Sequence, residues 1–217
     1  MCPPTISTTR IDRLEPSKRK AGRILAYLAD GSILRLTEQE VLRFGLRAGD
    51  ELGEETLAQL KESAARSETK AEAARMLGRR PMSRADLTKK LREKGATERE
   101  CDYAAEWLDA IGALDDRAYA ALLVRHYSES GYGPARWRDE LRRHGIEREL
   151  WDEAMESAPP TEELARRWLA ARWKGRSPDE KEKKRAADAL LRRGFSWGDV
   201  KVALQGFVED SFDGEAW

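Results

Sequence analysis

Three stretches of the chain end alike. Leu91-Arg92-Glu93-Lys94-Gly95-Ala96, Leu141-Arg142-Arg143-His144-Gly145-Ile146 and Leu190-Leu191-Arg192-Arg193-Gly194-Phe195 each place a leucine four positions before a glycine and an apolar residue just after it. The glycines lie 50 and 49 positions apart. A fixed period of this size constrains the fold strongly, because each copy must be one supersecondary unit that buries its apolar face against the next. The flanks keep step. Leu87, Trp137 and Ala186 stand eight positions before the glycines, Cys101, Trp151 and Val200 six after, and Ala104, Ala154 and Ala203 nine after. Positions −8 and −4 share one helix face, and +6 and +9 share the face of a following helix. The glycine between them is the left-handed stop that ends the first helix and turns the chain.

A further periodic segment precedes each pair, over about residues 57–78, 117–129 and 161–173, so each unit reads as a helix triplet. Helix starts are marked at Ser83, at Pro134 after Gly133, at Ser177-Pro178 and at Thr161, and one of Asp115 and Asp116 caps the helix carrying Tyr119 and Leu122.

The front of the chain has a different period. Arg23–Leu28 and Ser32–Leu36 flank Ala29-Asp30-Gly31, and Asp-Gly between apolar runs signals a hairpin because both residues tolerate positive φ. Thr37-Glu38-Gln39-Glu40 forms a capping box for a short helix that stops at Gly45, and residues 46–52 return to extended chain. A lone hairpin is marginal in water, so Ile11–Glu15 is the expected third strand. The resulting division is a disordered tail over 1–9, a small β-containing domain over 10–55, helical repeats over 56–115, 116–158 and 159–208, and a tail over 209–217.

Charged residues make up 37% of the chain and the formal net charge is zero, so its distribution carries the information. Residues 75–94 hold eight Lys or Arg against two Asp or Glu, residues 166–193 eleven against four, and residues 10–23 six against two. Such stripes suit a phosphate backbone or an acidic protein surface; equally, mixed charge solubilises exposed helices. Catalysis finds no support. His126 and His144 lack metal-ligand spacing, no phosphate-cradling or nucleophile motif occurs, and the chain calls for no cofactor and no metal. Cys2 and Cys101 form no Cys-x-x-Cys pair, which suits a reducing cytosol, and no apolar run marks a signal peptide or a membrane span. Of the seven tryptophans, Trp107, Trp137, Trp151 and Trp168 fall at core positions, whereas Trp173 and Trp197 lie near or among polar residues where stacking on a base competes with packing.

Leu114-Asp115-Asp116-Arg117-Ala118-Tyr119-Ala120, Gly131-Tyr132-Gly133-Pro134 and Glu140-Leu141-Arg142-Arg143-His144-Gly145-Ile146 resemble the signature of the RecX family, bacterial regulators of the RecA recombinase. Ser83–Leu87 through Leu91–Gly95 resembles the first repeat of that family, and the likeness runs over about residues 10–208. The resemblance implies a mainly α fold, three tandem three-helix repeats forming an elongated curved rod that lies in the groove of the RecA–DNA filament and depresses ATP hydrolysis and strand exchange. It implies a cytoplasmic regulator, not an enzyme, with RecA as partner, DNA as a second one for some members, and no membrane; a monomer is expected, because no long heptad seam is present. The contact residues expected from the basic helices are Lys89, Lys90, Arg92, Arg136, Arg138, Arg142, Arg143, Lys183, Lys184 and Arg185. The alternative is a tandem helix-turn-helix-like protein that binds nucleic acid without a RecA role.

Overall fold

The computed structural model describes residues 8–209; most of the expected N-terminal tail and all but Glu209 of the expected C-terminal tail lie outside them. The chain packs as two compact units. One comprises the chain up to Arg80 together with Leu87–Ala113, the other Pro81–Asp86 together with the chain from Leu114 onward.

The first unit opens with four antiparallel strands, β1 (Thr8–Pro16), β2 (Arg23–Leu28), β3 (Ile33–Thr37) and β4 (Glu51–Gly53), in the order β3-β2-β1-β4. The expected third strand is present. It starts earlier than expected, because Thr8 and Thr9, assigned to the tail, pair with Gly53 and Leu52. The Asp-Gly turn also differs from expectation. Gly31 alone takes a positive φ (+83°), while the Asp30 carboxylate accepts the Ser32 amide at 2.8 Å and Leu28 N donates to Ser32 O, so the loop is wider than a two-residue turn. Ile11, Ala26, Leu28 and Leu36 on one sheet face bury against Leu46, Leu52, Leu60 and Ala64.

Helix α1 (Glu38–Phe44) carries the expected box: Glu40 N donates to Thr37 Oγ1 at 3.1 Å, Thr37 N donates to Glu40 Oε2 at 2.7 Å, and Gly45 closes the helix at φ +63°. Glu40 is buried, and Ser63 on α2 donates to it at 2.8 Å. Burial drives its pKa upward, but the hydrogen bonds from Thr37, Ser63 and Ser67 outweigh this and hold the carboxyl below its ordinary range. Helices α2 (Glu54–Leu77), α3 (Arg84–Glu93) and α4 (Glu98–Ala110) make the first triplet.

The second unit holds α5 (Asp116–Glu129), α6 (Pro134–Arg143), a 3₁₀ turn (Arg148–Leu150) leading into α7 (Trp151–Glu156), then α8 (Thr161–Trp173), α9 (Glu180–Arg192) and α10 (Trp197–Glu209). All twelve residues at positions −8, −4, +6 and +9 of the three repeats are buried. The three glycines take φ of +93°, +65° and +91°. Ala96, Ile146 and Phe195 donate their amides to the carbonyls of Leu91, Leu141 and Leu190 at 3.1, 3.0 and 3.2 Å. This is the six-to-one bond of a Schellman stop, so the leucine and the residue after the glycine are needed together.

Differences among the third helices follow from their caps. Thr97 and Glu100 form a capping box at α4, and Ser196 and Asp199 make the same pair of bonds at α10. The equivalent positions of the middle repeat are Glu147 and Leu150, which cannot form it, and there the helix opens as a 3₁₀ turn and runs short. Two expected starts are displaced. Helix α9 is capped by Asp179 with Glu182, not by Ser177-Pro178, because an aspartate three residues before a glutamate offers both halves of the box. Thr161 is the first residue of α8 after Pro160, and its hydroxyl donates to Asp199 at 2.7 Å, tying α8 to α10 instead of capping its own helix.

Candidate partner-binding surface

Burial of Leu87 and Leu91 turns the rest of α3 outward. Lys89 and Arg92 are exposed, Lys90 is half-buried, and none of the three enters an ion pair among the described residues.

The basic residues of α6 divide into two kinds. Glu140, at the centre of the helix, is buried at 2% exposure. Arg136 reaches its Oε1 at 2.6 Å and Arg143 pairs with its Oε2, from one turn before and one turn after. Tyr127 donates to the same carboxylate; burial first, and that hydrogen bond second, push the phenol pKa up. Arg136 and Arg143 therefore hold a buried charge in place, and removing either leaves it undercompensated. Arg138 and Arg142 are different. Arg138 is exposed without an ion pair, and Arg142 meets only Asp139 at 2.9 Å, with both side chains about 60% exposed, an arrangement that holds weakly. On α9, Lys183 is half-buried and paired with Glu180 at 2.8 Å, while Lys184 and Arg185 are exposed and unpaired.

Arginines also lie over aromatic rings. Arg142 and Arg148 approach Trp151 at 5.8 and 5.6 Å, Arg172 approaches Trp168 at 5.4 Å, and Arg193 lies 5.0 Å from the Tyr132 ring and 5.5 Å from that of Trp168. Arg148, Arg172 and Arg193 were not among the residues expected from sequence. The first two carry a signal, since they sit three before and four after the tryptophan they face. Arg193 carries none, because the α5–α6 turn brings Tyr132 to it. Trp173 is buried and Trp197 is 60% exposed, so stacking remains open only for the second.

The ends of the second helices meet across repeats. Gly133 N donates to Arg193 O at 2.9 Å and Ala135 N to Gly194 O at 3.0 Å, so α6 has its first amides satisfied by the last carbonyls of α9. Pro134, with no amide, occupies the first helical position between them. At the other junction Ser83 Oγ donates to His144 O at 2.5 Å and accepts from Asp86 N, while Asp86 Oδ2 lies 2.6 Å from His144 Nδ1. The two aspartates split their work. Asp115 caps α5 through Ala118 N, and Asp116 accepts from Arg84 N at the start of α3. A Cβ on Gly145 would lie 2.5 Å from that of Ala85, and one on Gly133 2.5 Å from Gly194 O.

Among the described residues no group of three or more His, Cys, Asp or Glu is placed to hold a metal ion. Cys101 is buried, and burial pushes its thiol pKa up, away from reactive thiolate. No helix among the described residues is long and apolar enough to cross a membrane. The arrangement offers guanidinium and ammonium groups to anionic partners from helices locked at both ends.

Family models place the same units. Those described as the first, second and third three-helix domains of RecX match residues 70–108, 115–155 and 161–204. Regulatory protein RecX of Xanthomonas oryzae pv. oryzae (strain PXO99A) is 35% identical over 137 residues, covering 62% of this chain and 85% of the relative. Regulatory protein RecX of Stenotrophomonas maltophilia (strain R551-3) is 36% identical over 132 residues, covering 60% and 81%. A crystal structure of regulatory protein RecX aligns with TM-score 0.70 and 27% identity over 91% of this chain and 99% of that one. RecX from Lactobacillus salivarius shares the fold at TM-score 0.55 and 21% identity, over 67% and 97%. With its three repeats matched in order and most of each relative's length covered, this chain belongs to the RecX family.

Proposed function

We propose that this chain is a non-catalytic cytoplasmic regulator that binds the RecA–DNA filament as a monomer and lowers its ATP hydrolysis and strand exchange. The observation that carries the reading is the set of exposed, unpaired or weakly paired cations on the second helices of RecX-type repeats: Lys89 and Arg92, Arg138 and Arg142, Lys184 and Arg185. Contacts repeated along a chain engage a polymer cooperatively, because each later one acts at high effective concentration once the first is made. Any single exposed contact then contributes only about 0.5–1.5 kcal/mol.

The test is RecA ATP hydrolysis on single-stranded DNA with increasing amounts of this protein. Inhibition is expected, and Arg138→Ala combined with Arg142→Ala, Lys184→Ala and Arg185→Ala should weaken it by at least tenfold in the concentration required. Arg136 and Arg143 are left out of that variant because of Glu140. Full inhibition by the fourfold variant would remove these residues as contacts, and an unaffected ATPase with wild-type protein would sink the reading.

A further inference from the structure

The open face of the N-terminal sheet has no role in the repeats. Strand register places Arg13 opposite Tyr27, Tyr27 opposite Ile33, Glu15 opposite Leu25 and Leu25 opposite Arg35, all on the side away from the core formed by Ala26, Leu28 and Leu36. A cavity of about 610 Å³ lies over this face, floored by Leu25, Tyr27 and Ile33. Ile33 is 51% exposed, an apolar side chain left in water at the centre of a charged rim.

The rim is basic and built. Lys18, Arg19 and Lys20 come from the β1–β2 loop, where Ser17 Oγ accepts the amides of Arg19 and Lys20 at 3.4 and 3.2 Å, Ser17 N donates to Arg23 O, and Gly22 turns at φ +72°. Arg35 closes the other side. Two carboxylates answer these cations: Glu15, 3.1 Å from Arg13, and Glu68, 2.8 Å from Lys20 and 3.8 Å from Arg35. Lys18 and Arg19 enter no ion pair among the described residues. Arg23 is not counted, since it is buried and donates to Ser67 and to Arg35 O.

Arg13 lies flat enough over Tyr27 to bring its Cζ within 3.7 Å of the ring centroid. A guanidinium stacked on one side presents its other plane to solvent, and such planes accept nucleobases while their N–H groups reach phosphate oxygens. We propose that this sheet face binds a short run of single-stranded nucleic acid, with a base on the Arg13–Tyr27 stack, apolar contact along Leu25 and Ile33, and phosphates on Lys18, Arg19 and Arg35. A duplex keeps its bases inside and has nothing to offer the floor. An acidic protein segment would use the rim alone.

The assay needs no RecA, so its outcome is independent of the function proposed above. Anisotropy of a labelled oligothymidine is followed with full-length protein across a salt series. Affinity should fall as salt rises, unlabelled duplex of equal length should compete less well, and polyglutamate should compete poorly. Arg13→Ala with Lys18→Ala and Arg19→Ala should lose at least tenfold in affinity. The slope of log affinity against log salt should become shallower by about 2, from roughly 0.7 per lost phosphate contact on a single strand. Arg13→Lys should weaken binding with the slope kept, because it retains the charge and loses the plane. The Arg138→Ala, Arg142→Ala variant should bind the oligonucleotide like wild type. Wild-type protein that ignores the oligonucleotide, prefers the duplex, or is displaced equally by polyglutamate overturns the proposal, as does a triple variant that folds by circular dichroism and binds unchanged.

Discussion

Gly95 and Gly194 end their helices with the same bonds and nearly the same φ, yet they stand in different surroundings. A Cβ on Gly95 meets nothing within 4 Å, whereas one on Gly194 would lie 2.7 Å from Arg136 N. Gly145 resembles Gly194, with Ala85 pressed against it. The same six-residue phrase thus has a local task in all three repeats, stopping a helix, and a second one in two of them, receiving the first turn of the preceding repeat's helix. The position ten before each glycine follows this division. It is Ala85 and Ala135 where the helix start docks, and Lys184 in the third repeat, where α9 begins a turn earlier and is capped by its own Asp179 and Glu182. Helix α9 needs no further repeat to satisfy its amides.

Substitutions can break or sharpen this contrast. Gly194→Ala should cost most, about 3 kcal/mol, combining the left-handed penalty with overpacking against backbone. Gly145→Ala should cost about 2 kcal/mol, since Ala85 is a side chain. Ala85→Gly in that background should recover part of the loss, giving a coupling of about 1 kcal/mol in a double-mutant cycle read from urea unfolding. Gly95→Ala should cost only about 1 kcal/mol, from conformation alone. Equal losses at Gly95 and Gly194 would show that close approach adds nothing.

The caps give the next scale. Thr97→Ala should cost about 1 kcal/mol. In the middle repeat, Glu147→Thr with Leu150→Glu supplies the missing box and should lengthen α7, seen as added helical ellipticity; no gain would show that the short helix has another cause.

The smallest effect is a pH dependence at Asp199. Burial raises its pKa, but hydrogen bonds from Ser196 and Thr161 prevail and hold it below the ordinary carboxylate value. A lowered folded pKa stabilises above the unfolded value and is lost as pH falls through the folded one. Asp199→Asn should therefore be less stable than wild type at neutral pH, by under about 1 kcal/mol, with the difference gone by about pH 3.

Much of the helical fold was legible in the chain because its signals are local or periodic. The Schellman phrase, the capping boxes at Thr37 and the alternation of buried positions involve residues within one or two turns of each other. The contact residues were only partly legible. Arg136, Arg138, Arg142 and Arg143 look alike in sequence, and only the burial of Glu140 separates the two that hold the helix from the two left free for a partner. Thr161 read as a cap until Asp199 claimed its hydroxyl.

The sequence by itself determined where helices stop, which faces are apolar and that the pattern occurs three times, since these depend on φ preferences and on spacing along one helix. Tertiary structure alone decided which glycines also lack room for a side chain, which arginines neutralise a buried charge, and that Arg13 lies on Tyr27 beside an open sheet face. Those properties belong to pairs of residues far apart in the chain, and no local preference encodes the distance between them.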